Sequence, residues 1–477
     1  MGLVTPTEPV PLGELGRIHF AGIGGAGMSG IARIMLARGI PVSGSDSAQS
    51  EALSALGSLG ARVYVGHSAD HLGDADTLVV SSAIRDDNPE LAEARRRGLR
   101  VLHRAGALAS LMFGRRVIAV TGTHGKTTTT SMITTVLRDV DADPGYVIGG
   151  VLAATGVGAA DGAGHDFVAE ADESDGSFLM LSPDAAVITN IEADHLDNYG
   201  TAEAYRASFR AFAARIKPGG LLLTCADDPG TRELVRQARD LELRTRSYGE
   251  SGDADYRLTQ TRQHGMETVF SVTATTSPFG EIHTNISVGV PGRHNALNAA
   301  AAFAAAVELG VAPRSAAAAL GRYRGAARRM EPKGEAGGVL VLDTYAHHPT
   351  ELAADLRAAR EIADGGRVIA VFQPHLYSRT RIFASDFGAA LGLADEAVVL
   401  DVYAAREDPE PGVSGKLVAD AVPGGARYVT PDAEVPRVVA SIAAPGDLVL
   451  TMGAGDVTRL GPLVLEEISA SPEAARS

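Results

Sequence analysis

A chain of 477 residues is too long for one hydrophobic core, and its length predicts about three domains. Hydrophobic residues make up 45% and charged residues 21%, an ordinary globular composition without a bias toward disorder. The net charge of −15 and a sequence pI near 5.3 exclude nonspecific nucleic-acid binding, which needs a basic face.

The opening "MGLVTPTEPVPLGELG" lacks the basic region and apolar core of a signal peptide. From Arg17 to about Ser110, the runs "RIHFAG", "MSGIARIMLARG", "PVSGSD", "EALSALGSLG", "ARVYVG" and "TLVVSSA" alternate strand with helix. That rhythm predicts a parallel sheet with crossover helices. A second block opens on the strand "RRVIAV", and its first helix puts Met132, Ile133, Val136, Leu137 and Val140 on one face. Strands follow at "DFVAEAD", "AAVITNI" and "GLLLTC", then a β-rich stretch from "YRLTQTRQHG" onward and an alanine-rich helix over roughly 294–309. The basic, glycine-containing "GRYRGAARRMEPKGEAGG" predicts a linker. A third block repeats the strand–helix rhythm with "VLVLDTYA", "RVIAVFQP", "EAVVLDVY" and "DLVLTMGAGD". The domains predicted are 1–110, 111–323 and 324–477, all α/β. The longest apolar run, "AAAAFAAAV" at 299–307, is far short of the roughly 20 residues of a membrane span. With a single cysteine, Cys225, the chain suits a reducing compartment, and a soluble cytoplasmic protein is expected.

Two glycine loops carry the chemistry. In "FAGIGGAGMSG", Gly22, Gly24 and Gly27, with Gly25 among them, satisfy G-x-G-x-x-G between a strand and a helix. Such a turn lets the backbone approach a diphosphate at the helix N-terminus. Asp46 ends the next strand, where an acid accepts ribose hydroxyls. The pattern fits a dinucleotide, any other diphosphate-linked nucleoside, or a tight-packing turn with no ligand. His67 and Arg104 stand where they would reach the same diphosphate or remain plain surface residues.

The second loop is "VTGTHGKTTTT". The pattern G-x-x-x-x-G-K-[ST] places a glycine at 120, where Val120 stands, and the preceding glycine is Gly122. Lys126 would meet the β/γ-phosphates of ATP, Thr127 would bind Mg²⁺, and the N–H groups from Gly122 through Thr123, His124, Gly125, Lys126 and Thr127 to Thr128 would form the anion nest. The plainer alternative is a threonine-capped helix start. Acids cluster after two strands, Asp172, Glu173 and Asp175 in one and Glu192, Asp194, His195 and Asp197 in the other. Ends of parallel strands share one sheet edge, and Mg²⁺ needs only oxygen ligands there. In the third block His347, His348, His375, Arg379 and Arg381 follow strands, where arginine suits carboxylate or phosphate recognition as readily as it sits in solvent.

Taken together, "HFAGIGGAGMSGIA", "GTHGKTTT", "EADESDGSF", "TNIEADHLDNY", "PGRHNALNA", "YAHHPTE", "FQPHLYSRT", "DVYAAREDPEPGVSG" and "LTMGAGDV" resemble, in order, the cytoplasmic peptidoglycan-precursor ligases, most closely the alanine-adding branch. The short G-T-H-G-K-T-T-T loop of that family accounts for the missing glycine at 120. The resemblance implies a Rossmann-like N-terminal domain for a UDP-sugar, a central P-loop domain for ATP and a C-terminal α/β domain for the amino acid. It implies phosphorylation of the lactyl carboxylate of UDP-N-acetylmuramate by ATP with Mg²⁺. The amine of L-alanine then attacks the acyl phosphate, in a monomer or weak homodimer. By the same resemblance Lys126 and Thr127 match phosphate and magnesium residues, Glu173 and His195 metal ligands, and His294 and Asn295 residues near adenine and ribose. Tyr345, His348, His375 and Arg379 match residues around the acyl phosphate and alanine.

Three departures stand out: Phe209 near the point where sibling ligases carry a carbamylated lysine, Thr344 in place of an acid in "DTYAHHP", and Leu376 where some relatives have arginine. Rival readings are an NAD-dependent dehydrogenase, a regulatory nucleotide-binding protein, and a ligase recycling a tripeptide onto the same UDP-sugar.

Overall fold

The computed structural model describes residues 3–405 and 407–470. Arg406, inside "DVYAAREDPEPGVSG", and the Asp197 side chain lie outside what is described. The chain divides into two compact units, one of residues 1–259, 271–286 and 297–320 and one of residues 260–270, 287–296 and 321–477.

The first unit begins with five short strands, β1 (Ile18–Ala21), β2 (Val42–Asp46), β3 (Arg62–Val65), β4 (Thr77–Val80) and β5 (Arg100–His103). They form an all-parallel sheet in the order β3-β2-β1-β4-β5, with Ile18 level with both Val42 and Thr77. The order reverses at β1, and the first glycine loop leaves its C-terminal end. That is where an open α/β sheet leaves a crevice for ligands.

Ten strands make the second sheet. They are β6 (Arg116–Thr121), β7 (Gly145–Leu152), β8 (Val157–Ala160), β9 (Asp166–Glu170), β10 (Ala185–Ile188), β11 (Leu221–Cys225), β12 (Arg244–Gly249), β13 (Tyr256–His264), β14 (Glu267–Ala274) and β15 (Ile282–Val288). Their order is β15-β14-β13-β12-β11-β10-β6-β9-β7-β8, with β6 running parallel between β10 and β9. Val120 is fully buried in β6, level with Glu170 and Val187, so the phosphate-type loop starts only at Gly122.

The helix Lys126–Asp139 that follows buries Met132, Ile133, Val136 and Leu137 as expected, but it ends before Val140, which is half-buried. Thr130 and Thr134 are buried as well, because their hydroxyls bond back within the helix. Thr130 Oγ1 donates to the Lys126 carbonyl and Thr134 Oγ1 to that of Thr130, both at 2.8 Å. One hydrophobic core joins this layer to the first sheet through Ile31, Met35, Val147 and Ala159. Arg38 closes the seam with a two-pronged bond to Asp161 at 2.7 and 2.9 Å.

The second unit is built on β16 (Glu331–Ala336), β17 (Val339–Thr344), β18 (Val368–Phe372), β19 (Glu396–Val399), β20 (Arg427–Tyr428) and β21 (Leu448–Met452), in the order β16-β17-β21-β18-β19-β20. All pair parallel except β16, which runs antiparallel on the edge. The linker expected over 321–338 is therefore partly a strand. β16 is polar and carries Pro332 beside a bulge at Gly334, composition that only an edge strand tolerates, so no apolar run announced it.

Phe372, wholly buried in the middle strand β18, lies 5.1 Å between ring centres from Phe387. Phe372→Ala is expected to remove about 3–5 kcal/mol through lost burial and the cavity left behind, read as a lower urea midpoint for the second unit.

Candidate functional site

The first glycine loop opens a cleft of about 770 Å³ in the first unit, lined among others by Gly22, Gly24, Gly25, Asp46, His67, Arg85 and Asn88. Gly22 sits at φ +77°, left-handed backbone that suits glycine. The Gly24 N–H donates to Asp46 Oδ2 at 2.8 Å, and a Cβ on Gly24 would come within 2.8 Å of that oxygen. Gly66 N–H donates to the Asp46 carbonyl at 2.7 Å, which sets His67 beside the acid. Four of the predicted residues thus share one cleft with His67. Gly27 and Arg104 do not line it. A Cβ on Gly27 would lie 3.4 Å from Arg104 Nη1, and the Arg104 guanidinium donates to Asp172 Oδ2 at 2.6 Å.

At the second loop, Gly122 (φ +130°) and Gly125 (φ +81°) supply the two turns. The loop is stapled to the segment after β10, with Thr123 N–H donating to the Asn190 carbonyl at 3.1 Å and His124 N–H to Asn190 Oδ1 at 2.8 Å. Thr123 Oγ1 donates to the Glu192 carbonyl at 2.9 Å, while Thr128 is buried in the first helical turn. Lys126 folds back over the loop. Its Nζ donates to the carbonyls of Gly122 and Thr123 at 2.6 and 3.0 Å and to Glu173 Oε1 at 2.9 Å, which uses all three protons.

Burial drives the Glu173 carboxyl up to about 7, against the pull of Lys126 and helped by the negative charge of Asp172. Glu173 Oε2 is buried without a hydrogen-bond partner among the described residues. His195 Nε2 stands 3.6 Å from Glu173 Oε1 and 3.5 Å from Asp194 Oδ2. It is held there by a left-handed backbone (φ +54°), uncommon outside glycine. Thr127 Oγ1 donates to Glu170 Oε1 at 3.1 Å.

Sequence reasoning passed over three residues here. Glu170 ends β9 as Asp46 ends β2, the same acid-at-strand-end signal. Asn190 supports the loop. Asn298 follows Asn295 in "RHNALN", and a Cβ on Gly125 would lie 2.5 Å from its Oδ1.

In the second unit, His347 Nδ1 lies 3.0 Å from the Tyr345 carbonyl, and His348 caps the helix Pro349–Ala363 by accepting from Thr350 N–H at 3.4 Å. His375 stacks on Tyr403, rings 5.9 Å apart and 14° from parallel. Arg379 is buried in the first turn of Tyr377–Leu391, whereas Arg381 is exposed and pairs with Glu410 at 3.0 Å. His294 and Asn295, expected near a nucleotide, fall in this unit, His294 Nε2 3.4 Å from Asp355 Oδ1 and Asn295 Nδ2 donating to the Pro291 carbonyl at 2.7 Å. Thr344 donates to Asp355 Oδ2 at 2.5 Å, so an acid stands next to the position where Thr344 departs from its relatives.

Two nucleotide-type loops on parallel sheets, one with a lysine against buried acids, define a nucleotide-binding α/β enzyme. Its chain matches the Mur ligase family catalytic domain over residues 17–116, the Mur ligase middle domain over 120–306 and the Mur ligase glutamate ligase domain over 328–455. A UDP-N-acetylmuramate–L-alanine ligase of Thermobifida fusca is 56% identical over 98% of this chain and 100% of its own length. One of Nocardioides sp. is 56% identical over 98% and 99%. The crystal structure of a UDP-N-acetylmuramate–alanine ligase of Thermotoga maritima superposes with a TM-score of 0.80 at 31% identity, covering 94% of this chain and 98% of that one. The chain belongs to the Mur ligase family. Among the described residues no helix is long and apolar enough to cross a membrane.

Gly122→Ala is expected to destabilise the loop, read as a lower urea midpoint of the first unit, because the added Cβ would overlap Thr189 Oγ1 at a φ that alanine avoids.

Proposed function

We propose that the chain is an ATP-dependent ligase that joins L-alanine to the lactyl carboxylate of UDP-N-acetylmuramate, in the cytoplasmic synthesis of peptidoglycan precursors. The observation that carries this reading is the 56% identity, over essentially the full length of both chains, to a ligase of that name. The cleft at Gly22–Gly25 takes the UDP-sugar, with Asp46 and His67 on the nucleoside side and Arg104 behind the loop. The Gly122–Thr128 loop takes ATP. A γ-phosphoryl group passes to the carboxylate, the alanine amine displaces phosphate, and amide, ADP and phosphate leave. Because little covalent chemistry falls to the protein in such a transfer, positioning and charge neutralisation carry the catalysis. Lys126 supplies the cation, its Nζ directed to the phosphate oxygens.

The residues also fit a divalent cation. Glu173 Oε2 is a buried oxygen without a partner, and Thr127, Glu170 and His195 offer further oxygen and nitrogen donors around it. Mg²⁺ bound by Thr127, Glu173 and His195 would neutralise negative charge on the phosphates. In the second unit Tyr345, His348, His375 and Arg379 face the acyl phosphate and alanine, and His294 with Asn295 the nucleoside of ATP.

Lys126→Ala and Glu173→Ala are each expected to cut turnover by roughly 10²–10³-fold, the usual cost of one preorganised electrostatic contact. Both should keep the fold. When Lys126 is removed, the buried Glu173 neutralises by taking up a proton instead of unfolding its surroundings. A near-wild-type kcat at saturating ATP and Mg²⁺ would show the residue wrongly assigned.

In an ADP-release assay, purified protein should require UDP-N-acetylmuramate and an amino acid, with L-alanine best. Equal release with a tripeptide and weak release with alanine would replace this reading by the recycling ligase, and tight NAD binding without UDP-sugar binding by the dehydrogenase. In the same assay Arg379→Ala should be far more damaging than Arg381→Ala, whose side chain is exposed and paired with Glu410.

A further inference from the structure

Glu90 is a wholly buried carboxylate that the reading above leaves without a task. It lies in the first turn of the helix Pro89–Arg97, where Asn88 Oδ1 accepts from its N–H at 2.9 Å. Three histidines converge on it. His67 Nδ1 lies 3.2 Å from Oε2, His71 Nδ1 3.2 Å from Oε1, and the buried His19 has Nε2 3.7 Å from Oε1 and Nδ1 2.9 Å from Ser43 Oγ. Ser45 Oγ donates to Oε2 at 2.7 Å and lies 2.9 Å from His67 Nδ1. Burial pushes this carboxyl up, but the neighbouring His19, Ser45 and His67 outweigh it and bring it to about 2, so Glu90 is an anion.

The proton count fixes the His67 ring. The one hydroxyl proton of Ser45 goes to Glu90, so both neighbours of His67 Nδ1 present acceptors and that nitrogen carries the hydrogen. The opposite ring edge, with Nε2, is left for the cleft that His67 lines. His67 follows β3 next to Asp46, the strand-end acid that meets ribose in a sheet of this order. We propose that Glu90 is a positioning residue for the nucleotide handle. Through His67 Nδ1 it fixes the ring so that Nε2 turns outward to hydrogen-bond the nucleoside end of the UDP-sugar. This rests on the proposed binding of UDP-N-acetylmuramate in that cleft.

The test is a double-mutant cycle on full-length protein, titrated calorimetrically with UDP-N-acetylmuramate, UDP, inorganic diphosphate and ATP. Glu90→Gln should weaken UDP-N-acetylmuramate and UDP by roughly tenfold, the scale of one hydrogen bond, and leave diphosphate and ATP affinities unchanged. His67→Ala should do the same, and the double variant should bind no more weakly than His67→Ala alone. Additive losses, an equal loss for diphosphate, or a matching loss of ATP affinity would make Glu90 a structural residue and overturn the inference. If Glu90→Gln does not fold, Ser45→Ala takes its place in the same cycle with the same expected outcomes. A wild-type protein that binds neither UDP-N-acetylmuramate nor UDP would overturn the function itself. A wild-type protein that binds both, with Glu90→Gln unaffected, would overturn only this inference.

Discussion

Much of the first unit is arranged around one buried ion pair, Lys126 with Glu173. Removing one partner of a buried pair typically costs about 3–5 kcal/mol unless the group left behind can neutralise, as Glu173 can by taking up a proton. The pair forms because β6 and β9 are parallel neighbours, so the helix after one and the loop after the other leave the same sheet edge. Lys126 then ties down the Gly122–Thr123 carbonyls, and Tyr199 Oη donates to the Glu173 carbonyl at 2.5 Å, holding the acid from the other side. One residue earlier, Asp172 is bound by Arg104, which leads the helix Arg104–Leu111 and packs against Gly27 of the first loop. A run of alternating charges thus links the helix after the first glycine loop to the floor of the second.

Most of the architecture could be read from the sequence, because buried parallel strands appear as short apolar runs followed by glycine or acid. The β6 turn was legible even with Val120 in place of glycine, since Gly-Lys-Thr after an apolar strand keeps its meaning when the loop shortens. What escaped was polar. The strand β16 sits on an edge, so its solvent face and Pro332 erase the apolar signal. Asn190 and Asn298 act by hydrogen bonds whose partners lie 66 and 169 residues away, a distance no local pattern spans. Glu90 was invisible for the same reason. It reads as a first-turn helix acid, and only the fold shows that His19, His67 and His71 surround it.

The Thr344 departure is also best understood through the fold. Taken alone, loss of an acid before "YAHHP" removes a negative charge from the third domain. In the structure Asp355, in the second turn of the next helix, accepts the Thr344 hydroxyl and faces His294. Asp355 is pushed up by burial, with His294 opposing, so a second carboxylate at 344 would raise it further. Hydroxyl and carboxylate form a complementary donor–acceptor pair here.

The contrast between Asp172 and Glu173 explains how one short loop serves two purposes. The two acids follow β9 and share Lys126, but only Asp172 is also bound by Arg104. Burial disfavours the charge on both. For Asp172, Arg104 and then Lys126 more than offset burial and hold the carboxyl below its usual range. For Glu173, Lys126 does not fully offset burial, and the carboxyl rises to about 7 with one oxygen unpartnered. An acid held firmly ionised by a permanent arginine partner is suited to fixing structure. An acid poised near neutrality, with an unused oxygen and with Lys126 and His195 beside it, is suited to a change of charge partner. Neighbouring carboxylates thus hold the proton with separated affinities, one fixed by Arg104 and one set by the balance between burial and Lys126.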